Sequence, residues 1–248
     1  MGAVQHTLFE NFLSYFDVTL AASGEQKSEV FGIRYHVYCD EFGYEPAHKF
    51  PNHEETDEFD DNALHALITH KGSGLPAGCV RLVSPTGQGD STALPYEKHC
   101  ADSLDAKFIH NLDLDRSSIC EISRLAVDGA FRRRAGEQVT RYGEVEGLDC
   151  TQQERRTFSL IAVASFLAAT ALTDLAGRTN VFAMMEPFLP RLLKRSGIVF
   201  RRAGQDIDYH GMRAPYFITT QSALDNMRSD LKELYTEIHR RIERDYTG

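Results

Sequence analysis

The run Cys120-Glu121-Ile122-Ser123-Arg124-Leu125-Ala126-Val127 constrains the fold most tightly, because its β-branched and aliphatic residues read as a strand into which polar groups are set. Successive side chains of a strand point to opposite faces, so Glu121, Ser123 and Leu125 share one face while Ile122, Arg124 and Ala126 share the other. Glu121 and Ser123 then stand about 7 Å apart, near enough to act on one ligand. The other reading is a half-exposed strand with a solvated polar face. Arg124 points away from Glu121 on an ideal strand, and joins its side only where the strand twists or bulges.

The rest of the chain supplies further strands with helices between them. Residues 15–20 alternate as an opening strand, and Ser23 followed by Gln26 is a capping-box signature for a helix over 24–41. Val30, Ile33, Val37 and Tyr38 make its buried stripe, and Arg34 lies on that stripe, where it either snorkels past the core edge or points into a site. Residues 42–62 read as a long loop carrying an acidic run, Glu54-Glu55-Thr56-Asp57-Glu58-Phe59-Asp60-Asp61. Strands follow at 65–69 and 78–84, joined by a Lys71-Gly72-Ser73-Gly74 turn whose context is wrong for a dinucleotide loop. Residues 85–118 read as irregular with a short helix near Tyr96, and 137–156 as a polar segment. An apolar helix over 158–175 ends at Gly177; a strand at 181–185, a helix over 187–196 and strands at 198–203 and 214–220 come next. The expected division is one domain over 1–221 plus a charged amphipathic helix over 222–248. Antiparallel strands with a few helices indicate an α+β fold.

Composition removes several classes of function. A net charge of −9 argues against binding a nucleic-acid duplex. Cys39, Cys79, Cys100, Cys120 and Cys150 are odd in number and form no CxxC pair, so neither a disulfide framework nor a zinc site is indicated and a cytoplasmic location fits. Residues 1–16 lack the basic start and apolar core of a signal peptide. Ser159, Ser165, Thr170, Thr173 and Asp174 interrupt the most apolar stretch, which reads as a buried helix rather than a membrane span. Asp113-Leu114-Asp115 lacks the glycine of a calcium loop, and the histidines have no metal-ligand spacing, so no metal is expected.

Four pieces occur in a recognisable order: Arg34 with Tyr38 and Tyr44, then Glu55-Thr56-Asp57-Glu58-Phe59-Asp60, then Arg81-Leu82, then Glu121-Ile122-Ser123-Arg124. In this order they resemble the autoinducer (acyl-homoserine-lactone) synthases and the long-chain N-acyl amino acid synthases, which share a GNAT-like N-acyltransferase fold. By motif the resemblance covers residues 15–126, and by layout it extends to 220. Phe131-Arg132-Arg133-Arg134, Met185-Glu186-Pro187, Asp208-Tyr209-His210-Gly211 and Arg213-Ala214-Pro215-Tyr216-Phe217 are more similar to acyltransferases associated with the PEP-CTERM/exosortase system. Tyr44 stands where the lactone synthases usually have tryptophan, and the terminal helix is additional; both count against a lactone product.

The resemblance implies a mixed, mostly antiparallel sheet flanked by helices. It also implies transfer of a fatty acyl group from a thioester, acyl carrier protein or acyl-CoA being the co-substrate and no cofactor permanently bound, to the amine of a small amino-acid-like acceptor. Such a site must take a proton from an ammonium and polarise the thioester carbonyl. Glu121 is the expected base, through a water, with Ser123 placing that water or the acceptor and Asp57 beside them. Arg34, Asp57, Asp60, Arg81 and Arg124 are implied to form an ionic cluster, either touching the acceptor or fixing the acidic loop to the sheet. Tyr38 and Tyr44 belong to the same substrate-binding group. The oxyanion is expected on backbone N–H groups near residues 125–127. Arg132, Arg133 and Arg134 are expected to hold the phosphopantetheine phosphate or the acidic carrier. Leu160, Val163, Phe166, Leu167 and Leu172 either line an acyl trough or are core. The alternatives are a GNAT acetyltransferase using a short acyl-CoA and a non-catalytic acyl- or carrier-binding module.

Overall fold

Short connections make consecutive strands neighbours, and the first four strands follow this rule. In the computed structural model, which describes residues 8–89, 91–132 and 151–246, β1 (Phe16–Leu20), β2 (Ala63–His70), β3 (Pro76–Val83) and β4 (Ile119–Val127) pair antiparallel in sequence order. Beyond β4 the sheet continues with β5 (Asn180–Met185), β8 (Met212–Thr219) and β6 (Arg201–Arg202), while β7 (Ile207–Asp208) also pairs with β8. Among the described strands only β4 and β5 run parallel, and α5, α6 and α7 lie between them in the chain.

The helices are α1 (Leu8–Tyr15), α2 (Gly24–Tyr35), α3 (Pro95–His99), α4 (Ala106–Leu112), α5 (Gly129–Arg132), α6 (Gln152–Thr157), α7 (Leu160–Leu175), α8 (Leu189–Lys194), α9 (Thr220–Asn226) and α10 (Ser229–Asp245). Helix α2 begins at the predicted capping box: Gln26 N–H donates to Ser23 Oγ at 3.2 Å, and Ser23 N–H to Gln26 Oε1 at 3.0 Å. It then widens into a π-helical segment, His36–Glu41.

One face of the sheet, bearing Ala66, Ile68, Val80, Leu82, Cys120, Ile122 and Val181, packs on α7 and α10 and forms the main core. Leu167 and Leu172 of α7 are fully buried there, each stabilising the fold by roughly 1.5–3 kcal/mol. Gly78 allows α7 this close, since a Cβ on it would lie 2.9 Å from Ile161 Cγ2. The opposite face carries two smaller apolar clusters, one under α2 and one under α3 and α4. Between them the sheet presents charged groups.

Several expectations need correction. Helix α1 occupies a stretch to which the sequence assigns no element, and α4 and α6 occupy stretches read as irregular chain and polar segment. Helix α6 has its own capping box, Thr151 with Glu154. The strand expected over 198–203 shrinks to the two-residue β6. The terminal helix starts at Ser229 rather than 222, because buried Met227 takes an extended conformation between α9 and α10. No helix among the described residues is long and apolar enough to cross a membrane.

Candidate active site

β4 breaks its alternation where the sequence placed Arg124 on the wrong face. Residues 81 to 83 of β3 pair with 123 to 121, whereas Cys79 pairs with Ala126, so β4 contains one residue more than β3. Arg124 absorbs the excess at φ +51°, a left-handed conformation that costs a non-glycine residue about 1–2 kcal/mol. The bulge turns Arg124 to the side of Ser123 and Arg81. Its distortion is offset locally, since Tyr38 donates its hydroxyl to Leu125 C=O at 3.0 Å and lies 5.5 Å below the Arg124 guanidinium.

An ionic lattice forms around that bulge. Fully buried Arg34 donates to Glu55 through Nε and to both oxygens of Asp60 at 2.7 and 2.9 Å. Arg81, also fully buried, donates to Ser123 Oγ at 3.1 Å, Asp57 Oδ1 at 2.6 Å and Asp60 Oδ1 at 2.8 Å. Arg124 completes the ring with Glu55 Oε1 and Asp57 Oδ2, both at 3.1 Å. Asp57 N–H donates to Asp60 Oδ2 at 2.7 Å, so the acidic loop satisfies its own backbone in the same lattice. Burial alone would raise the acids of Glu55, Asp57 and Asp60, but the surrounding guanidiniums hold all three below the usual carboxylate range.

His65, in register with Arg81, lies under this lattice with Nε2 3.6 Å from Asp60 Oδ1. Burial, reinforced by Arg34 and Arg81, pushes its pKa down to about 4, so the ring is neutral at pH 7. Neither ring nitrogen, nor Arg81 Nη2, has a hydrogen-bond partner among the described residues.

Glu121 differs from the three paired acids. It is buried on the same face but has no ion pair among the described residues, and its Oε2 accepts only the Tyr96 N–H at 2.7 Å. Burial pushes its pKa up to about 8, against the opposing pull of the Tyr96 hydrogen bond, Arg81 and Arg124. Glu121 is also where the sheet opens: β4 and β5 pair only from Ile119↔Asn180 to Glu121↔Phe182 and then diverge. On the main-core side of this divergence is a cavity of about 40 Å³ lined by Ile122, Phe166, Val181, Ala183, Ile198 and Phe200, among others.

The tertiary structure therefore brings together Arg34, Asp57, Asp60, Arg81, Ser123, Arg124, Tyr38 and Glu121. Tyr44 sits at the rim, its backbone carbonyl 3.2 Å from His210 Nδ1. Arg132 donates Nε to Val127 C=O at 2.7 Å, pairs with Glu41 and covers Phe42. Arg133 and Arg134 lie outside the described residues. Of the residues proposed for a trough, Phe166 lines the cavity, whereas Leu160, Leu167 and Leu172 are core.

Sequence reasoning passed over His65, Tyr96 and Tyr209. Tyr209 lies beside Arg124 and within electrostatic range of Glu121, and stacks on His99 at 5.8 Å. Its signal was the Asp208-Tyr209-His210-Gly211 block, whose placement no local rule supplies.

Residues 33–141 match the model of a GNAT acetyltransferase domain. No curated protein sequence matches the chain. Among solved structures, the acyl-homoserine-lactone synthase LasI is 14% identical with TM-score 0.57, covering 86% of this chain and 94% of its own. FeeM, an N-acyl amino acid synthase from uncultured soil microbes, is 10% identical with TM-score 0.56, covering 88% and 97%. BjaI, a CoA-dependent acyl-homoserine-lactone synthase, is 15% identical with TM-score 0.54, covering 90% and 89%. At these identities the likeness is one of fold, and together with the antiparallel order, the parallel β4–β5 pair and the flanking helices it establishes a GNAT-like α+β N-acyltransferase fold.

Proposed function

We propose that the protein is an N-acyltransferase that moves a fatty acyl group from a thioester to the amine of an amino-acid-like acceptor. The observation that carries this reading is Glu121: a buried carboxyl with pKa about 8, lacking an ion-pair partner among the described residues, at the point where β4 and β5 part. With a pKa of about 8 the base is the ionised fraction of Glu121, a minority at pH 7: it takes the proton of the acceptor ammonium through a water, the amine forms the C–N bond, and the C–S bond breaks as the thiol leaves with a proton. Beyond Glu121 no described strand pairs with the β5-facing edge of β4, and the backbone there is the proposed oxyanion support. Ser123, held by Arg81, places the water, while the lattice keeps Asp57 and the loop in position.

The donor is acyl carrier protein or CoA. Arg132 with Arg133 and Arg134 is the proposed contact for its phosphate or for an acidic carrier. The finer likeness to PEP-CTERM/exosortase-associated acyltransferases rests on the sequence blocks given above. A second reading, transfer of a short acyl group from CoA, is favoured by the acetyltransferase-domain match and by the cavity, whose 40 Å³ holds little more than one water-sized group.

Mass spectrometry of lipids from expressing cells, combined with an acyl-CoA and acyl-carrier chain-length series in vitro, separates these readings. New long-chain N-acyl amino acids, abolished by Glu121→Gln, support the first. Activity confined to acetyl- or propionyl-CoA supports the second. Wild-type turnover in Glu121→Gln removes the base assignment.

A further inference from the structure

Charge in the lattice is fully committed. Arg34, Arg81 and Arg124 face Glu55, Asp57 and Asp60, three cations to three anions, and the acid of Glu121 is mostly protonated at pH 7. None of these guanidiniums has surplus charge for an incoming anion. Binding an acceptor carboxylate there would require breaking a buried ion pair and leaving its partner uncompensated.

Another arginine meets the requirement. Along β8, Arg213, Pro215 and Phe217 share a face by strand alternation, and Phe217 packs with Phe182 and Tyr96 on the Glu121 side of the sheet. β5 and β8 stay paired to Met185↔Ala214, so Arg213 stands one residue beyond, at the open end of the gap between β4 and β5. Its Nε donates to the carbonyls of Tyr209 at 3.0 Å and His210 at 3.3 Å, which orients the guanidinium. Its terminal nitrogens have no carboxylate partner among the described residues, and the Tyr44 ring lies 5.8 Å from its central carbon.

The turn that leads into Arg213, residues 209–211, is itself fixed across the site. His210 and Gly211 both take positive φ, +53° and +88°. His210 Nδ1 meets Tyr44 C=O at 3.2 Å and its Nε2 lies 3.3 Å from Glu45 Oε1. A Cβ on Gly211 would lie 3.6 Å from the Tyr44 hydroxyl. Tyr209, at the start of the turn, is beside Arg124 and within range of Glu121.

We propose that Arg213 receives the carboxylate of the acceptor, so that the acceptor is an α-amino acid with its amine toward Glu121 rather than a simple amine. This rests on the acyl-transfer reading. The free guanidinium edge matches a carboxylate through two parallel hydrogen bonds.

The test offers the full chain an equimolar mixture of the standard amino acids, or of their carboxamides, with octanoyl and palmitoyl groups carried on CoA and on acyl carrier protein, and measures N-acyl products by mass spectrometry. The wild type is expected to prefer the amino acids at least tenfold. Arg213→Gln should raise the acceptor KM about 10- to 100-fold, abolish that preference and leave the donor KM unchanged, with partial rescue in Arg213→Lys. Equal use of carboxamides by the wild type, or an undiminished preference in Arg213→Gln, overturns the assignment. If the wild type acylates neither mixture, the acyl-transfer reading fails. Saturation-transfer NMR on the same mixtures without donor then decides Arg213 separately: amino-acid signals lost in Arg213→Gln support the carboxylate site, and their absence in the wild type refutes it.

Discussion

Glu121→Gln should make the protein more stable at alkaline pH while removing its activity. Between the ordinary glutamate value of 4.5 and about 8, the unfolded chain ionises at this position while the folded chain keeps its proton. The folded state thus binds more protons in this window, so stability falls as pH rises, by about 1.4 kcal/mol per pH unit. The loss is complete above pH 8, where it reaches roughly 5 kcal/mol, comparable with the 5–15 kcal/mol total of an ordinary domain. Glutamine cannot ionise and still accepts the Tyr96 N–H. Urea unfolding followed by circular dichroism at pH 5, 7 and 9 should show the variant nearly equal to wild type at pH 5 and several kcal/mol more stable at pH 9. Parallel stability curves for the two proteins would refute the argument that burial raises this acid.

Asp60→Ala removes the acceptor of three guanidinium hydrogen bonds and one backbone bond, so it should cost about 3–5 kcal/mol in urea unfolding. Because Glu55, Asp57 and Asp60 have lowered pKa values, their contribution is present above the usual carboxylate range and should disappear in an acid titration as pH falls through the folded values. Arg124→Gly and Arg124→Ala lose the same ion pairs, but glycine tolerates φ +51°, so the glycine variant should be more stable by about 1 kcal/mol in the same assay. Gly197 sits at φ +85° with an added Cβ only 1.8 Å from the Asn226 carbonyl oxygen, so Gly197→Ala should lower Tm by about 5 °C or more in a thermal scan.

Local chemistry was enough to read much of the architecture. The Ser23–Gln26 capping box, the Lys71–Gly74 turn and the strand through Glu121 depend on neighbours within a few residues, and they form as the sequence indicates. The order of the acidic loop, Arg81 and the 121–124 strand was legible through its resemblance to the autoinducer and N-acyl amino acid synthases, since charge spacing alone left solvated faces equally open. Helix α4 was not, since Ala106–Leu112 holds its place by an Asp105 cap and by packing its partly buried Phe108, Ile109 and Leu112 against distant residues.

Tertiary structure alone decided which charges meet and which remain available. Alternation puts Arg124 opposite Ser123; the extra residue of β4 relative to β3 reverses that, and register is a property of two strands. Sequence assigned Asp57 and Glu121 similar chemistry, but folding surrounds Asp57 with Arg81 and Arg124 and leaves Glu121 with one backbone donor, so their acidities move in opposite directions. Tyr209 and Arg213 reach the same space from a hairpin more than eighty residues along the chain, carried there by the pairing of β8 with β5. Propensity and capping act over a few residues and are written in the sequence, whereas desolvation and ion pairing act through space and exist only once the sheet has formed.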